Sequence, residues 1–185
     1  MDKALLRKEL LKKRRAMSER EIADKSQAIF ERLRDLPEYK RAGAVLAYSA
    51  FDNEVQTDGI IEDLKARKAW IYLPVITSET EFMPCKMTQD MQKNRYGIEE
   101  PMPIETAPKG SGKIDLVICP GVGFDFSGYR LGYGKGYYDR FLSGEKLFKI
   151  GLAFEAQMVK MLAAEETDIP MDCVITEKAV YRACA

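Results

Sequence analysis

Histidine is absent from this 185-residue chain. That removes Ser-His and Cys-His nucleophilic pairs, an imidazole general base and imidazole metal ligands. Any chemistry must come from carboxylates, cations, tyrosines, backbone groups or a metal held through oxygen. Cysteine is scarce: Cys85, Cys119, Cys173 and Cys184 show no C-x-x-C spacing, which argues against zinc or a disulfide framework. Cys119 and Cys173 fall in apolar runs and are expected in the core. Neither sign of charge dominates, with 29 Lys and Arg against 29 Asp and Glu, so no global field recruits nucleic acid or an anionic membrane. No apolar run reaches spanning length, and the charged amino terminus lacks a signal-peptide core; the expectation is a cytoplasmic protein. Repeats and low-complexity tracts are also lacking. The length suits one domain, residues 1–185, with a sizeable core.

What is present concentrates in residues 120–142, PGVGFDFSGYRLGYGKGYYDRFL, which hold six of the thirteen glycines. The preceding IDLVIC (114–119) reads as a short buried strand, and YYDRFL (137–142) can start a helix. Strand, long glycine loop, helix is a layout in which backbone N–H groups are free to hold an anion. Gly132, Gly134 and Gly136 alternate, letting a ligand approach the main chain. Arg130 offers a planar fork for phosphate oxygens and Lys135 a mobile point charge. Asp139 is a hard oxygen ligand suited to Mg2+, and Tyr133, Tyr137 and Tyr138 add flat surfaces. The spacing is neither that of a P-loop nor that of a dinucleotide fingerprint. A mobile surface loop is the alternative on spacing alone, although the aromatic content argues against plain disorder.

The rest of the chain alternates helical and strand patterns. Residues 3–17 form a strong helix with Leu6 and Leu10 on one face. Lys3 and Arg7, four apart, share a face and can point at one target; by itself such a pattern reads first as a solvated basic face. Lys12 to Arg15 are assigned to solvent. Ser18 and Glu21 make a capping box for a second helix, with Ile22, Ile29, Leu33 and Leu36 inward and Pro37 as its stop. Residues 44–48 read as the first strand, and Thr57 or Asp58 caps a helix carrying Ile60, Ile61 and Leu64. Between them, Glu54 sits in a loop after a strand's carboxyl end, where open α/β sheets bind ligands. Residues 70–75 are a second strand. Residues 81–87 alternate weakly, and Pro84 marks them as an edge. Residues 102–112 read as a flexible connection, 147–154 as a strand, 157–165 as a helix and 173–176 as the last strand. The pattern predicts an α/β fold with a mostly parallel sheet and helices on both faces.

The run GFDFSGYRLGYGKGYYDRFL (123–142) resembles the signature of the 5-formyltetrahydrofolate cyclo-ligases, also called methenyltetrahydrofolate synthetases. The resemblance extends over nearly the whole chain. It implies a single three-layer Rossmann-like domain of the NagB/ribose-phosphate isomerase kind. It also implies an ATP- and Mg2+-dependent enzyme that makes 5,10-methenyltetrahydrofolate through a phosphorylated formyl oxygen. Residue by residue, it makes Lys3, Arg7 and Arg130 the catalytic cations on the phosphates, with Leu131, Gly132, Tyr133, Gly134, Lys135, Gly136, Tyr137 and Tyr138 completing the ATP site. Ser49, Phe51, Glu54 and Tyr96 would face the folate, together with Tyr133 through Tyr137. Asp139 and Asp172 would position Mg2+. Thr167 stands where many relatives have histidine, so the chemistry must proceed without an imidazole. The expected partners are small molecules, not nucleic acid or membrane, and the expected state is a monomer or small homo-oligomer. Two other readings stay open: a phosphotransferase using Glu54 or Asp125 as base, and a non-catalytic nucleotide- or folate-binding module.

Overall fold

The computed structural model describes residues 2–95, 97–102 and 114–183. The chain opens with helices α1 (Lys3–Arg15), α2 (Glu19–Asp35) and α3 (Pro37–Arg41). Asp2 caps α1 by accepting from the Ala4 N–H, and Ser18 with Glu21 forms the expected capping box of α2. Pro37 ends α2 as expected and also opens α3 from its first position, where a missing N–H costs nothing. Strand β1 (Ala44–Leu46), helix α4 (Asp58–Ala66), strand β2 (Trp70–Ile76) and strand β3 (Phe82–Lys86) follow. Thr57 precedes α4 but makes no cap bond; its hydroxyl donates to the Tyr48 carbonyl at 2.6 Å. A small hairpin of β4 (Met91–Lys93) and β5 (Glu99–Pro101) comes next. Beyond it lie β6 (Leu116–Cys119), β7 (Gly123–Asp125), β8 (Arg130–Leu131), α5 (Tyr137–Leu142), β9 (Phe148–Leu152), β10 (Met158–Val159), β11 (Cys173–Ile175) and β12 (Val180–Arg182).

The main sheet has seven strands in the order β12-β11-β9-β6-β1-β2-β3. Its five inner strands pair in parallel, and β3 and β12 close the edges antiparallel. Pro84 lies on edge strand β3, as its lost donor requires. Alternation along the strands sorts the core. Val45, Ile118, Ile150 and Ile175 face Ile29, Leu33, Ile60 and Leu64 of α2 and α4. Leu46, Val117, Cys119 and Val174 face the other way, onto Phe124 and Leu142. Helices therefore lie on both faces, but unequally. α2, α3 and α4 cover one face; α5 shares the other with a second sheet, β10-β7-β8. α1 closes over that second sheet through Leu10, Val122, Leu131 and Leu162.

Three expectations are corrected. The glycine-rich stretch is not one long loop, because β7 and β8 fold it into a hairpin, with Gly123 opposite Leu131 and Phe124 opposite Arg130. The buried Asp125 carboxylate makes the turn by accepting from the N–H groups of Ser127 and Tyr129. The helix expected over 157–165 is a single 3-10 turn (Glu155–Gln157) followed by β10. There the backbone pairs with β7, the Leu162 N–H donates to Asp125 and the Gln157 amide donates to the carbonyls of Gly121 and Val122. β12, only three residues long, follows what was expected to be the last strand. Cys85, Cys119 and Cys173 are free and buried; Cys184 lies outside the described residues.

Candidate active site

The strand order places the site. From β1 the chain moves to β2 on one side, whereas β6 and β9 build outward on the other. The loops leaving β1 and β6 therefore diverge and open a crevice at the carboxyl ends, the usual ligand position in such sheets. A cavity of about 380 Å3 occupies it, lined after β1 by Tyr48, Ser49, Phe51 and Glu54 and after β6 by Pro120 and Gly121. Arg130, Gly132, Tyr133, Lys135 to Asp139 form a third wall, and Pro74, Ile76, Phe82 and Ile98 supply apolar surface. The volume is at the low end for small-molecule pockets.

Most of the expected residues meet here. The Ser49 hydroxyl donates to the Glu99 carbonyl at 2.8 Å, and Phe51 packs on Tyr133 with ring centroids 5.5 Å apart. The Arg130 guanidinium lies over the Tyr138 ring and donates to Asp139 Oδ2 at 3.0 Å. Asp139 Oδ1 accepts from the Ile169 N–H. Gly136, in the left-handed conformation (φ 64), turns the chain into α5. Lys135 pairs with Glu79 at 3.2 Å, and the Tyr137 hydroxyl donates to the Ser78 carbonyl, so the turn between β2 and β3 touches the glycine loop.

Others fall elsewhere. Lys3 and Arg7 do not line the cavity. Arg7 Nε donates to the Gly132 carbonyl at 2.8 Å, with its guanidinium beside Gly134, and Lys3 pairs with Glu165 and Asp168. The Leu131 side chain belongs to the core beneath α1, and its carbonyl accepts from Val122. Asp172 does not line the cavity. It precedes β11 at the amino ends of the strands, where it accepts from the Lys149 N–H at 2.7 Å and pairs with Lys149 Nζ. The segment that approaches Asp139 does so through the Ile169 N–H, while the Asp168 carboxylate accepts from Lys3 and from the Glu165 N–H. Among the described residues no three Asp, Glu, Cys or His side chains cluster as a metal site. Tyr96 lies outside the described residues.

Arg14, expected in solvent, is 1% exposed. Its helical spacing from Lys3, Arg7 and Leu10 was the available signal, since steps of four, three and four keep one face. Asp52 was also missed. It takes two bonds from Arg15, at 2.8 Å each, and one from Arg14. The bond to Arg15, then the charge of Arg14, holds the Asp52 carboxyl below its usual range.

Glu54 is buried, accepts from the Phe51 N–H and sits 3.7 Å from Arg14 Nη1. Burial pushes its carboxyl up to about 7 against the opposing pull of Arg14. Burial also raises the phenols of Tyr133, to about 12, and Tyr138. Among the described residues four buried side-chain polar atoms lack a hydrogen bond: Glu54 Oε1, Arg130 Nη1, the Tyr138 hydroxyl and Arg14 Nε. The first three belong to residues that line the cavity. An orphaned buried polar group costs about 1–3 kcal/mol, so three such residues on one cavity lining suit a polar ligand. An acceptor, a cationic donor and a phenol stand between aromatic and aliphatic walls. That arrangement suits a flat heterocycle with an N–H edge and a neighbouring anion.

Comparison with known proteins agrees. The family model described as the 5-formyltetrahydrofolate cyclo-ligase family matches residues 1–177. An Escherichia coli protein named 5-formyltetrahydrofolate cyclo-ligase is 31% identical over 176 residues, spanning 91% of this chain and 97% of the relative. A Mycoplasma pneumoniae protein of the same name is 34% identical over 182 residues, spanning 96% of this chain and 100% of the relative. The solved structure of an Aquifex aeolicus 5,10-methenyltetrahydrofolate synthetase superimposes with a TM-score of 0.87 at 34% identity, covering 100% of this chain and 94% of that one.

Proposed function

This chain belongs to the 5-formyltetrahydrofolate cyclo-ligase family, and on that premise we propose that it converts 5-formyltetrahydrofolate to 5,10-methenyltetrahydrofolate, consuming ATP and releasing ADP and phosphate. The observation that carries the reading is that Glu54, Arg130 and Tyr138, each with a buried polar atom that makes no hydrogen bond, all line the switch-point cavity. The pterin would enter between Phe51, Tyr133 and the apolar wall, its N–H edge toward Glu54. The phosphates would lie across the glycine loop toward Arg7 and Lys3, with Arg130 between the two substrates. The formyl oxygen attacks the γ-phosphate. N10 then attacks the activated carbon, and phosphate leaves. An amide oxygen is a poor leaving group until phosphorylated, and closure is intramolecular, so positioning supplies much of the rate. The cations stabilise charge on the transferring group. No general base is required for the first step.

Mg2+ suits this site as an ion shared between protein and nucleotide, since it is commonly held by one or two carboxylates plus substrate phosphates. Asp139, on the cavity wall, is the carboxylate that would take part first, and Asp172 or Asp168 would supply the second; each is now paired with a cation, Asp139 with Arg130, Asp172 with Lys149 and Asp168 with Lys3. The ion would neutralise charge on the phosphates. Lys3, now paired with Asp168 and Glu165, would exchange partners when phosphate arrives. We further infer a single Rossmann-like three-layer domain of the NagB/ribose-phosphate isomerase kind over residues 1–185, and a cytoplasmic role on small molecules. Among the described residues no helix is long and apolar enough to cross a membrane. Of the two bases that a phosphotransferase could use, Asp125 is spent on three backbone N–H groups, which leaves Glu54.

The test is near-ultraviolet absorbance, where the methenyl product absorbs and the formyl substrate does not. Protein, 5-formyltetrahydrofolate and Mg2+ should give an ATP-dependent rise. Asp139→Ala should raise the Mg2+ requirement about tenfold or more, the loss of one charge-assisted ligand. The same rise in Asp172→Ala, without one in Asp168→Ala, would assign Asp172 as the second carboxylate. No rise with folded protein would end the reading; phosphate transfer without cyclisation would turn it toward the phosphotransferase. The reversed pattern in those two variants would assign Asp168 instead.

A further inference from the structure

We propose that Arg14 is a positioning residue that locks together the two halves of the cavity, the loop of Asp52 and Glu54 and the glycine-rich stretch of Gly121 and Tyr133. The inference rests on reading the cavity as the folate site. Arg14 does not line the cavity, so it acts through the residues it holds. A guanidinium taken out of water is unfavourable unless well paired, and an apolar residue continuing the Leu10 face would bury more cheaply. Arg14 is nonetheless fully buried, and its contacts fan across both halves. Nη1 donates to the Gly121 carbonyl at 3.3 Å and lies 3.7 Å from Glu54 Oε1. Nη2 donates to Asp52 Oδ2 at 3.3 Å and to the Tyr133 hydroxyl, which itself donates to Asp52.

The loop it grips needs such a grip. Asp52 and Asn53 have φ of 49° and 59°, two successive non-glycine residues in the left-handed region. Such backbone persists only when its surroundings over-determine it. Arg14 and Arg15 both clamp Asp52, and the clamp sets where Phe51 meets Tyr133 and where Glu54 points. A lysine cannot replace it, because one ammonium lacks the rigid fork that spans these acceptors. The charged and titratable groups facing Glu54 are Arg14, Asp52, Tyr48, Tyr133 and Tyr138, and of these Arg14 supplies the positive charge. Losing it pushes the Glu54 carboxyl further up and delays its ionisation.

Arg14→Met and Arg14→Lys, with exposed Lys13→Ala as the control, test the role. Folding is checked by thermal midpoint, and kcat and KM are measured for each substrate across pH. In both Arg14 variants the KM for 5-formyltetrahydrofolate should rise about tenfold or more, while that for ATP moves less than about threefold, the effect of one lost charge-assisted contact set. The acid limb of kcat/KM for the folate should move to higher pH in Arg14→Met and less in Arg14→Lys, a change that mere loosening of the fold would not produce. Folded variants with an unchanged folate KM and an unmoved limb would overturn the proposal. If Arg14→Met does not fold, Arg14→Lys is combined with Tyr133→Phe. Non-additive effects on midpoint and KM support the lock, and additive ones refute it. If the wild type makes no methenyl product, the functional reading has failed by itself, and the lock is judged by additivity in the midpoint cycle.

Discussion

Glu54 concentrates the conflict between folding and function in one carboxyl. Its folded pKa is about 7, against an ordinary 4.5. The native state therefore binds a proton more tightly than the unfolded chain does. Its favourable contribution is complete below about pH 4.5 and is lost as pH rises toward 7, because ionised Glu54 must stay out of water. Glu54→Gln removes that burden. Its denaturation free energy should exceed the wild type's at pH 8 by up to about 3 kcal/mol and converge with it near pH 4.5, while folate affinity falls because the carboxylate acceptor is gone. Urea unfolding at the two pH values is the check. A gain that does not depend on pH would show that Glu54 is not held up by burial. Asp125 illustrates the opposite economy: both its oxygens accept backbone N–H groups, and its role is the turn of the β7–β8 hairpin.

At the scale of elements, α1 acts as a rack for cations. Lys3, Arg7, Leu10 and Arg14 lie along one face, and Leu10 seats the helix by packing onto Gly123 of β7. A Cβ at Gly123 would fall 2.5 Å from Leu10 Cδ1. Gly123→Ala should therefore lift α1 and cost about 1–3 kcal/mol, the usual range for overpacking. Because α1 carries Lys3 and Arg7, the KM for ATP should rise with it. Urea midpoints and ATP kinetics together decide; a destabilised variant with normal ATP kinetics would detach the helix's seating from phosphate binding. α1, α2 and α4, the strands of the parallel sheet and edge strand β3 were legible because periodicity, a capping box and Pro84 are local signals. The helix expected over 157–165 failed because its backbone groups found partners in β7 and Asp125, a tertiary competition that no local propensity registers.

For the molecule as a whole, the parallel sheet is sealed on both faces, by α2–α4 on one and by Phe124 and α5 on the other. Cys119 and Cys173 sit on opposite faces at 0% exposure, and burial pushes both thiols up to about 12. Neither should react with a thiol reagent until the domain opens globally. Labelling rates should therefore track urea unfolding at both sites together. Rapid labelling of one in native buffer would mean that its face opens independently.

The amino-acid sequence by itself determined the fold class, the family resemblance and the region of the site. Hydrophobic period, glycine spacing and the 123–142 motif are properties of neighbouring residues, and they survive without a structure. Only the tertiary structure decided which charges matter and how. It took Arg14 from solvent into the core, separated Lys3 and Arg7 from the cavity and paired Asp172 with Lys149. The reason is desolvation and partner choice: Glu54 is held up by burial and steadied by Arg14, forty positions away in sequence. Which groups leave water together is settled only when the sheet brings its distant loops to one crevice.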